Sequence, residues 1–164
     1  MPTPPTVPSI PPKGRLAGID FGSVRIGIAI CDPEQKFVNP LDTYCRRSEK
    51  LDGIYFAQLA KDESVVGWII GLPIHCDGNE SPKSLECRDF GNWLGQTTGL
   101  PYAFYDERYS SKEARQLMWD TGWSPKKKKK NLDRLAAHLI LTHYLQSRHS
   151  LADSPLTEMP LEDF

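Results

Sequence analysis

Apolar and polar residues follow two different patterns along this chain, and the change from strand-like to helical spacing comes near residue 48. Apolar runs at 16–20, 24–31 and 37–43 are separated by turn residues, which predicts three strands joined as an antiparallel meander. Residues 48–61 then carry apolar side chains at near-helical spacing. The continuous apolar run at 65–71 predicts a parallel strand that is covered on both faces.

The second half of the chain continues the alternation of helices and strands. We expect, in order, a helix over 83–97, a strand over 102–105, a helix from Ser110 or Ser111 to Trp119, a polar loop over 120–130 and a last helix capped by Asn131. This order predicts an α/β fold with a mixed five-stranded sheet, built from an antiparallel meander plus parallel strands and flanked by helices.

The two ends of the chain lack both patterns. Residues 1–13 hold six prolines, which favour extended polyproline II conformation, so we predict a disordered Pro-rich arm there. Residues 149–164 have no periodicity, and residues 151–164 carry four acids without a base, which predicts an acidic flexible tail over 149–164. A single domain over 14–148 is expected between them.

Composition and charge narrow the range of partners. The formal net charge of the 164 residues is −1, yet residues 108–150 contain ten basic and three acidic residues, so the near-neutral total hides a strongly basic C-terminal half. No stretch approaches the length of a membrane span and no secretory signal is visible, so we expect a cytoplasmic protein without a membrane partner. The four cysteines lack metal-ligand spacing and are expected to be free thiols.

Carboxylates stand where predicted strands end. Asp20 ends the first strand, Asp106 and Glu107 end the last one, and Asp133 opens the last helix. Because sites in mixed α/β sheets form at the carboxyl ends of strands, these side chains are expected at one edge of the sheet. Clustered carboxylates raise one another's pKa, but their oxygens suit Mg²⁺ or Mn²⁺. We predict that Asp20, Glu107 and Asp133 hold one or two such ions, with Asp20 bridging, for phosphodiester hydrolysis.

Basic residues accompany these acids. Arg25 follows the first turn and Arg108 follows Glu107, and each is placed to contact a phosphate or to pair with an acid. The five consecutive lysines before Asp133 are predicted to form a loop that contacts nucleic-acid phosphates: Lys126, Lys127, Lys128, Lys129 and Lys130. Purely structural roles remain possible for these acidic and basic residues. Turn aspartates, surface ion pairs and solvated loops have the same local sequence patterns.

Five segments together resemble the YqgF/RuvX family. They are GIDFGSVRIGIAICD at 18–32, PL at 40–41, IIGLPIHCDG at 69–78, DERYSS at 106–111 and KKNLDRLAAHLIL at 129–141. The resemblance covers about 15–147 and implies an RNase H-like fold, related to Holliday junction resolvases, in a nuclease that processes the 5′ end of pre-16S rRNA during ribosome biogenesis. It places the family's acidic residues on Asp20, Glu107 and Asp133, with Asp106 beside them.

The chain departs from the family pattern at Ser23 and Val24, where threonine followed by a basic residue is more usual. One basic contact near the first turn is therefore missing. This departure concerns the affinity for the substrate more than metal binding.

Three functions are compatible with these features. The favoured one is a metal-dependent endonuclease acting on structured RNA, and a Holliday junction resolvase-like nuclease would use the same chemistry on branched DNA. The segment GIDFGSVRIG also resembles the phosphate-binding hairpin of sugar kinases and actin, although those proteins bind ATP between two such domains. The third is a non-catalytic RNA- or ribosome-binding module.

The expected partners are pre-rRNA, branched DNA and ribosomal particles. The expected oligomeric state is a monomer or a weak homodimer.

Overall fold

A computed structural model of the chain describes residues 9–73, 81–106, 116, 122 and 124–152. In this part of the chain the strands are β1 (Arg15–Phe21), β2 (Arg25–Cys31), β3 (Val38–Cys45), β4 (Val65–Leu72) and β5 (Tyr102–Asp106). The helices are α1 (Glu49–Asp62), α2 (Pro82–Thr98) and α3 (Pro125–Ala152). The helix predicted from Ser110 or Ser111 to Trp119 lies almost entirely outside the described residues.

The five strands within the described ranges form one mixed sheet in the order β3-β2-β1-β4-β5. β1 pairs antiparallel with β2, and β2 pairs antiparallel with β3, as the predicted meander requires. β4 is parallel to both β1 and β5. The predicted mixed sheet is therefore confirmed, and the carboxyl ends of β1, β4 and β5 meet at one edge.

Helices cover both faces of this sheet. α1 and α2 pack on one face around Phe56 and Trp68, and α3 packs on the other around Ile140 and Leu141. Successive strand residues point to opposite faces, so Leu16 contacts the α3 layer whereas Ile19 contacts the α1–α2 layer. No helix in the described part of the chain is long and apolar enough to cross a membrane.

Helix α3 begins earlier than the sequence pattern indicates. It starts at Pro125, so the loop predicted over 120–130 is wrong for residues 125–130, and Asn131 lies inside the helix. The N–H of Lys127 donates to Oγ of Ser124 at 3.2 Å, which caps the first turn. Proline is favoured at the first helical position because it has no N–H to leave unbonded. Ser124-Pro125 is thus a helix start, and it outweighs the repulsion among the lysines.

The predicted ends of the domain lie inside packed structure. α3 continues to Ala152, four residues into the segment predicted as tail. Ile10, in the predicted disordered arm, packs against the core under α3. Arg148 donates to the carbonyl oxygens of Ile10 and Pro11 at 2.9 and 3.1 Å, and Gln35 donates to that of Pro11 at 2.9 Å. Residues 9–13 are therefore part of the folded unit.

Candidate active site

Two glycines allow α3 to lie directly on the sheet. A Cβ added at Gly27 would stand 1.9 Å from the carbonyl oxygen of Asp133, and one added at Gly18 would stand 2.8 Å from that of Ala137. Both atoms belong to the helix backbone, which cannot rotate away as a side chain can. The close approach of α3 to β1 and β2 therefore requires glycine at these two positions.

This approach brings Asp133 next to Asp20. Asp20 is the register partner of Gly27 across β1 and β2, so Asp133 lies beside the strand position that neighbours Asp20. Burial of the Asp20 carboxyl raises its pKa to about 7, and the negative charge of Asp133 contributes to this rise. Lys83 acts in the opposite direction and lowers the pKa of Asp20. The two carboxylates are thus close enough to repel each other.

Arg25 holds the carboxylate of Asp133. Its Nε donates to Oδ2 of Asp133 at 3.0 Å, across the 108 residues that separate them in sequence. Arg25 and Gly27 are two residues apart in β2 and therefore lie on the same face of the strand, which explains why the arginine reaches α3. The arginine side chain is 43% exposed, so this ion pair contributes little to stability, and its main effect is to orient Asp133.

A cleft of about 510 Å³ opens beside this pair, at the turn between β1 and β2. Three elements line it: the turn, the first turns of α2, and α3. The lining residues are Gly22, Ser23, Val24, Arg25, Pro82, Lys83, Glu86 and Asp133. Two bases and two acids therefore face one cleft, next to the carboxylate of Asp20.

Sequence reasoning did not identify Lys83 and Glu86. The available local signal was Ser81-Pro82, a helix start that places Lys83 in a first turn. Ser81 and Ser84 bond each other's backbone in a capping box, and Oγ of Ser81 donates to the carbonyl oxygen of Pro73 just after β4, at 3.4 Å. That the start of α2 lies at the same sheet edge as the end of β1 follows only from the three-dimensional arrangement.

The other predicted acids are placed differently from Asp20. Asp106 is the last residue of β5 and is exposed. Because side chains alternate along a strand, Asp106 points to the same face of the sheet as Phe104, which packs in the α1–α2 layer. Asp20 faces the α3 layer, so these two carboxylates leave the sheet on opposite faces. Glu107 and Arg108 lie outside the described residues.

The lysine run lies on the same helix as Asp133. α3 runs opposite to β1, because Asp133 lies near Asp20 while Leu141 lies against Gly18. The two helical turns before Asp133 therefore extend beyond the end of β1, and Lys126 stands about 10 Å from Asp133 along the helix axis. Lys126 and Lys127 are exposed and Lys128 is partly buried. Lys129 and Lys130 are helical at the backbone.

The donor chemistry of Asp20 and Asp133 fits a hard divalent cation. Both offer carboxylate oxygens, and the raised pKa of Asp20 reflects negative charge in a desolvated place, which a bound cation would compensate. No group of three acidic, histidine or cysteine side chains is close enough to form a complete cation site among the described residues. The third ligand predicted from the sequence, Glu107, is not among them.

Comparison with known proteins gives consistent matches over most of the chain. Residues 14–147 match the family described as RuvX, Holliday junction resolvase. A protein of Rhodopirellula baltica, named as a candidate pre-16S rRNA nuclease, is 44% identical over 137 residues, which cover 84% of this chain and 79% of the relative. A protein of Koribacter versatilis with the same name is 32% identical over 144 residues, covering 88% and 94%.

Solved structures share the fold. Thermus thermophilus RuvC in complex with a Holliday junction superposes with a TM-score of 0.53 at 14% identity, covering 83% of this chain and 96% of RuvC. The fowlpox virus resolvase in complex with junction DNA gives 0.52 at 11% identity, covering 82% and 98%. At such identities the match shows the architecture alone, and it confirms the predicted RNase H-like sheet.

Proposed function

Because the chain belongs to the RuvX family, we propose that it is a metal-dependent endonuclease that hydrolyses phosphodiester bonds in structured RNA. The proposed substrate is the 5′ end of pre-16S rRNA, since relatives that match most of the chain are named for that activity. The observation that carries the proposal is the pairing of Asp20 with Asp133 at the edge where β1 ends. A pre-rRNA substrate also implies action in the cytoplasm and on ribosomal particles.

The proposed mechanism assigns a role to each residue near the cleft. Asp20 and Asp133 would hold Mg²⁺ or Mn²⁺, with Glu107 as the predicted third ligand. When bound, such an ion lowers the pKa of water and stabilises the leaving oxygen of a phosphodiester. Arg25 keeps the Asp133 carboxylate in one orientation through its bond at 3.0 Å. Asp20 must lose its proton to serve as a ligand, so occupancy of the site rises with pH around neutrality.

Substrate binding is proposed to depend on the basic residues near the same edge. The described lysines lie in the first two turns of α3, before Asp133, and they carry positive charge past the end of β1. Phosphate contacts from Lys126 to Lys130 and from Arg108 would draw the negatively charged backbone toward the two carboxylates, while Arg25, the other predicted phosphate contact, is paired with Asp133. Binding that rests on such contacts weakens steeply with salt.

The decisive test replaces Asp20 with asparagine, which keeps the shape of the side chain and removes its charge. We expect Asp20→Asn to lower Mg²⁺- or Mn²⁺-dependent cleavage of a pre-16S rRNA fragment by roughly 100-fold or more, and to weaken Mn²⁺ binding in calorimetry. Asp62→Asn, an exposed position at the far end of α1, is the matched control. Undiminished cleavage by Asp20→Asn would show that the assigned site is wrong.

The substrate class is tested by comparing two nucleic acids under the same conditions. We expect the wild-type chain to cleave the precursor RNA faster than a four-way DNA junction of equal length. Preference for the junction would instead establish the DNA alternative, with the same residues acting on the same kind of bond. RNA binding without any divalent-ion binding would identify a non-catalytic module.

A further inference from the structure

Lys83 stands in the cleft opposite the pair formed by Arg25 and Asp133. It is the second residue of α2, and it lines the same cavity as those two side chains. Its charge acts on the Asp20 carboxylate, so the lysine lies within electrostatic reach of the proposed reaction centre. A phosphodiester that enters the cleft toward Asp20 and Asp133 must therefore pass close to this ammonium group.

The preference of the α2 helix for acidic residues in its first turn does not explain a lysine at this position. The first turn of α2 contains no acidic residue, and a cation at a helix N-terminus opposes the helix macrodipole. Lys83 makes no salt bridge with any described residue, whereas Arg25 is already engaged by Asp133. Lys83 is exposed, opposes the macrodipole of its helix and forms no salt bridge with a described residue, so it is available for an anionic ligand.

The backbone that carries Lys83 is firmly placed. The capping box between Ser81 and Ser84 sets the first turn of α2, and Ser84 is fully buried. The bond from Ser81 to Pro73 ties this turn to the end of β4. The backbone that carries the ammonium group is therefore fixed, and only the rotamers of the lysine side chain have to be ordered when a phosphate binds.

We propose that Lys83 binds a non-bridging phosphate oxygen of the nucleic acid in the cleft and so holds the scissile region against Asp20 and Asp133. This inference rests on the proposed function, because it presumes a phosphodiester substrate at that site. A lysine serves here as a compact point charge, and arginine would keep the charge with a different shape. Glu86, three residues later on the same helix, bounds the phosphate position by repulsion.

The test measures binding separately from cleavage. A fluorescently labelled RNA hairpin with a 5′ single-stranded extension is bound to the full chain in EDTA, and the dissociation constant is followed from about 50 to about 200 mM KCl. We expect Lys83→Gln to weaken binding several-fold at the lower salt. It should also make the log–log salt dependence shallower by about 0.7 to 0.9, the value of one phosphate contact.

Two variants control this measurement. Lys83→Arg is expected to restore the salt dependence, because it restores the charge. Lys61→Gln removes an equal charge from the last turn of α1, next to the start of β4 and therefore at the opposite edge of the sheet, and is expected to leave the slope unchanged. An equal change in Lys61→Gln and Lys83→Gln, or none in Lys83→Gln, would overturn the inference.

The same experiment distinguishes failure of the Lys83 contact from failure of the proposed nuclease function. If the wild-type chain cleaves the hairpin with Mg²⁺ while Lys83→Gln retains the wild-type slope, the nuclease assignment stands and the Lys83 contact falls. If the slope changes as expected and the wild-type chain does not cleave, the phosphate contact stands and the hydrolytic assignment falls. A wild-type chain that does not bind the hairpin would overturn both.

Discussion

Asp20 is held at an energetic cost. Asp20 stands in β1 between two buried residues, Ile19 and Phe21. Its carboxyl is desolvated, and the charge of Asp133 acts on it. Burial and the second carboxylate both favour the protonated form, so the ionised form destabilises the fold. Such a cost at a residue that does not build the core is typical of a functional site.

This cost has a defined pH dependence. The pKa of Asp20 is raised from 3.8 to about 7 in the folded chain, so folding takes up a proton between these values. The stability associated with protonated Asp20 is fully present below pH 4 and is lost as the pH rises through 7. In EDTA we therefore expect Asp20→Asn to be more stable than wild type by about 2 kcal/mol at pH 8, with the gain vanishing near pH 4.

Denaturant unfolding of both proteins at several pH values measures this difference. Asp20 is partly exposed to solvent, and screening by water reduces its effect on stability below the full value of the pKa shift. Asp62→Asn reports the effect of the same substitution at an exposed position. A difference between Asp20→Asn and wild type that does not vary with pH would contradict the raised pKa.

At the scale of elements, the position of α3 decides whether the site exists. Gly27 allows the helix backbone to contact β2, and Arg25 then reaches Asp133 from the same strand. We expect Gly27→Ala to displace α3, because its Cβ would stand within 2.3 Å of two backbone atoms of Asp133. The result should be a loss of about 1 to 3 kcal/mol in the free energy of unfolding, together with loss of cleavage.

Gly53→Ala in α1 is the matched control. Its Cβ would approach side-chain atoms only, the nearest being Cγ2 of Thr97 at 3.3 Å. Alanine also favours a helix interior over glycine by about 1 kcal/mol, which offsets the tight contact with Thr97, so this variant should be close to wild type in stability. Unfolding and cleavage assays on both variants separate a general glycine effect from the helix contact. Wild-type cleavage by Gly27→Ala would show that α3 can shift without disturbing Asp133.

The five consecutive lysines are held in a helix rather than in a loop. In a loop its charges would adopt many positions, whereas in α3 their Cα atoms advance by about 1.5 Å per residue. Lys126 and Asp133 are seven residues apart and so lie on the same side of the helix. The helix therefore couples a proposed phosphate-binding segment rigidly to a proposed metal ligand.

For the whole molecule, Arg148 joins the two ends of the described chain. It contacts the carbonyl oxygens of Ile10 and Pro11, and its guanidinium lies over the ring of Tyr144 at 5.9 Å. This cluster is at the edge of the sheet opposite the cleft. We expect Arg148→Met to lower the free energy of unfolding by about 2 kcal/mol and to speed proteolysis near residue 10, with unchanged cleavage of RNA.

Limited proteolysis and denaturant unfolding test this expectation, and Gln146→Met at an exposed position of α3 is the control. If Arg148→Met reduced cleavage while retaining wild-type stability, the two ends of the chain would be linked to the site by more than packing. Equal protease resistance in the two variants would show that Arg148 does not secure the N-terminal segment.

The sequence by itself determined the type and order of the described strands and helices, because hydrophobic periodicity is a local property of the chain. It also indicated that carboxylates follow strands, and the family resemblance was confirmed over residues 14–147. It misplaced the start of α3, because the run of lysine charge obscured the capping signal at Ser124 and Pro125. The predicted limits of the folded unit, 14–148, are too narrow for the described residues. Local patterns do not show that Arg148 bonds to Ile10, 138 residues away in sequence.

Only the tertiary structure decided which charged groups meet. Asp20 and Asp133 are 113 positions apart in sequence, and they are brought together by two glycines whose missing side chains leave room for a helix. Lys83 reaches the same cleft because α2 begins at the edge where β1 ends. Periodicity reports whether a residue faces the core, whereas a shared cleft depends on how helices pack across a sheet, and that packing is set by contacts distant in sequence.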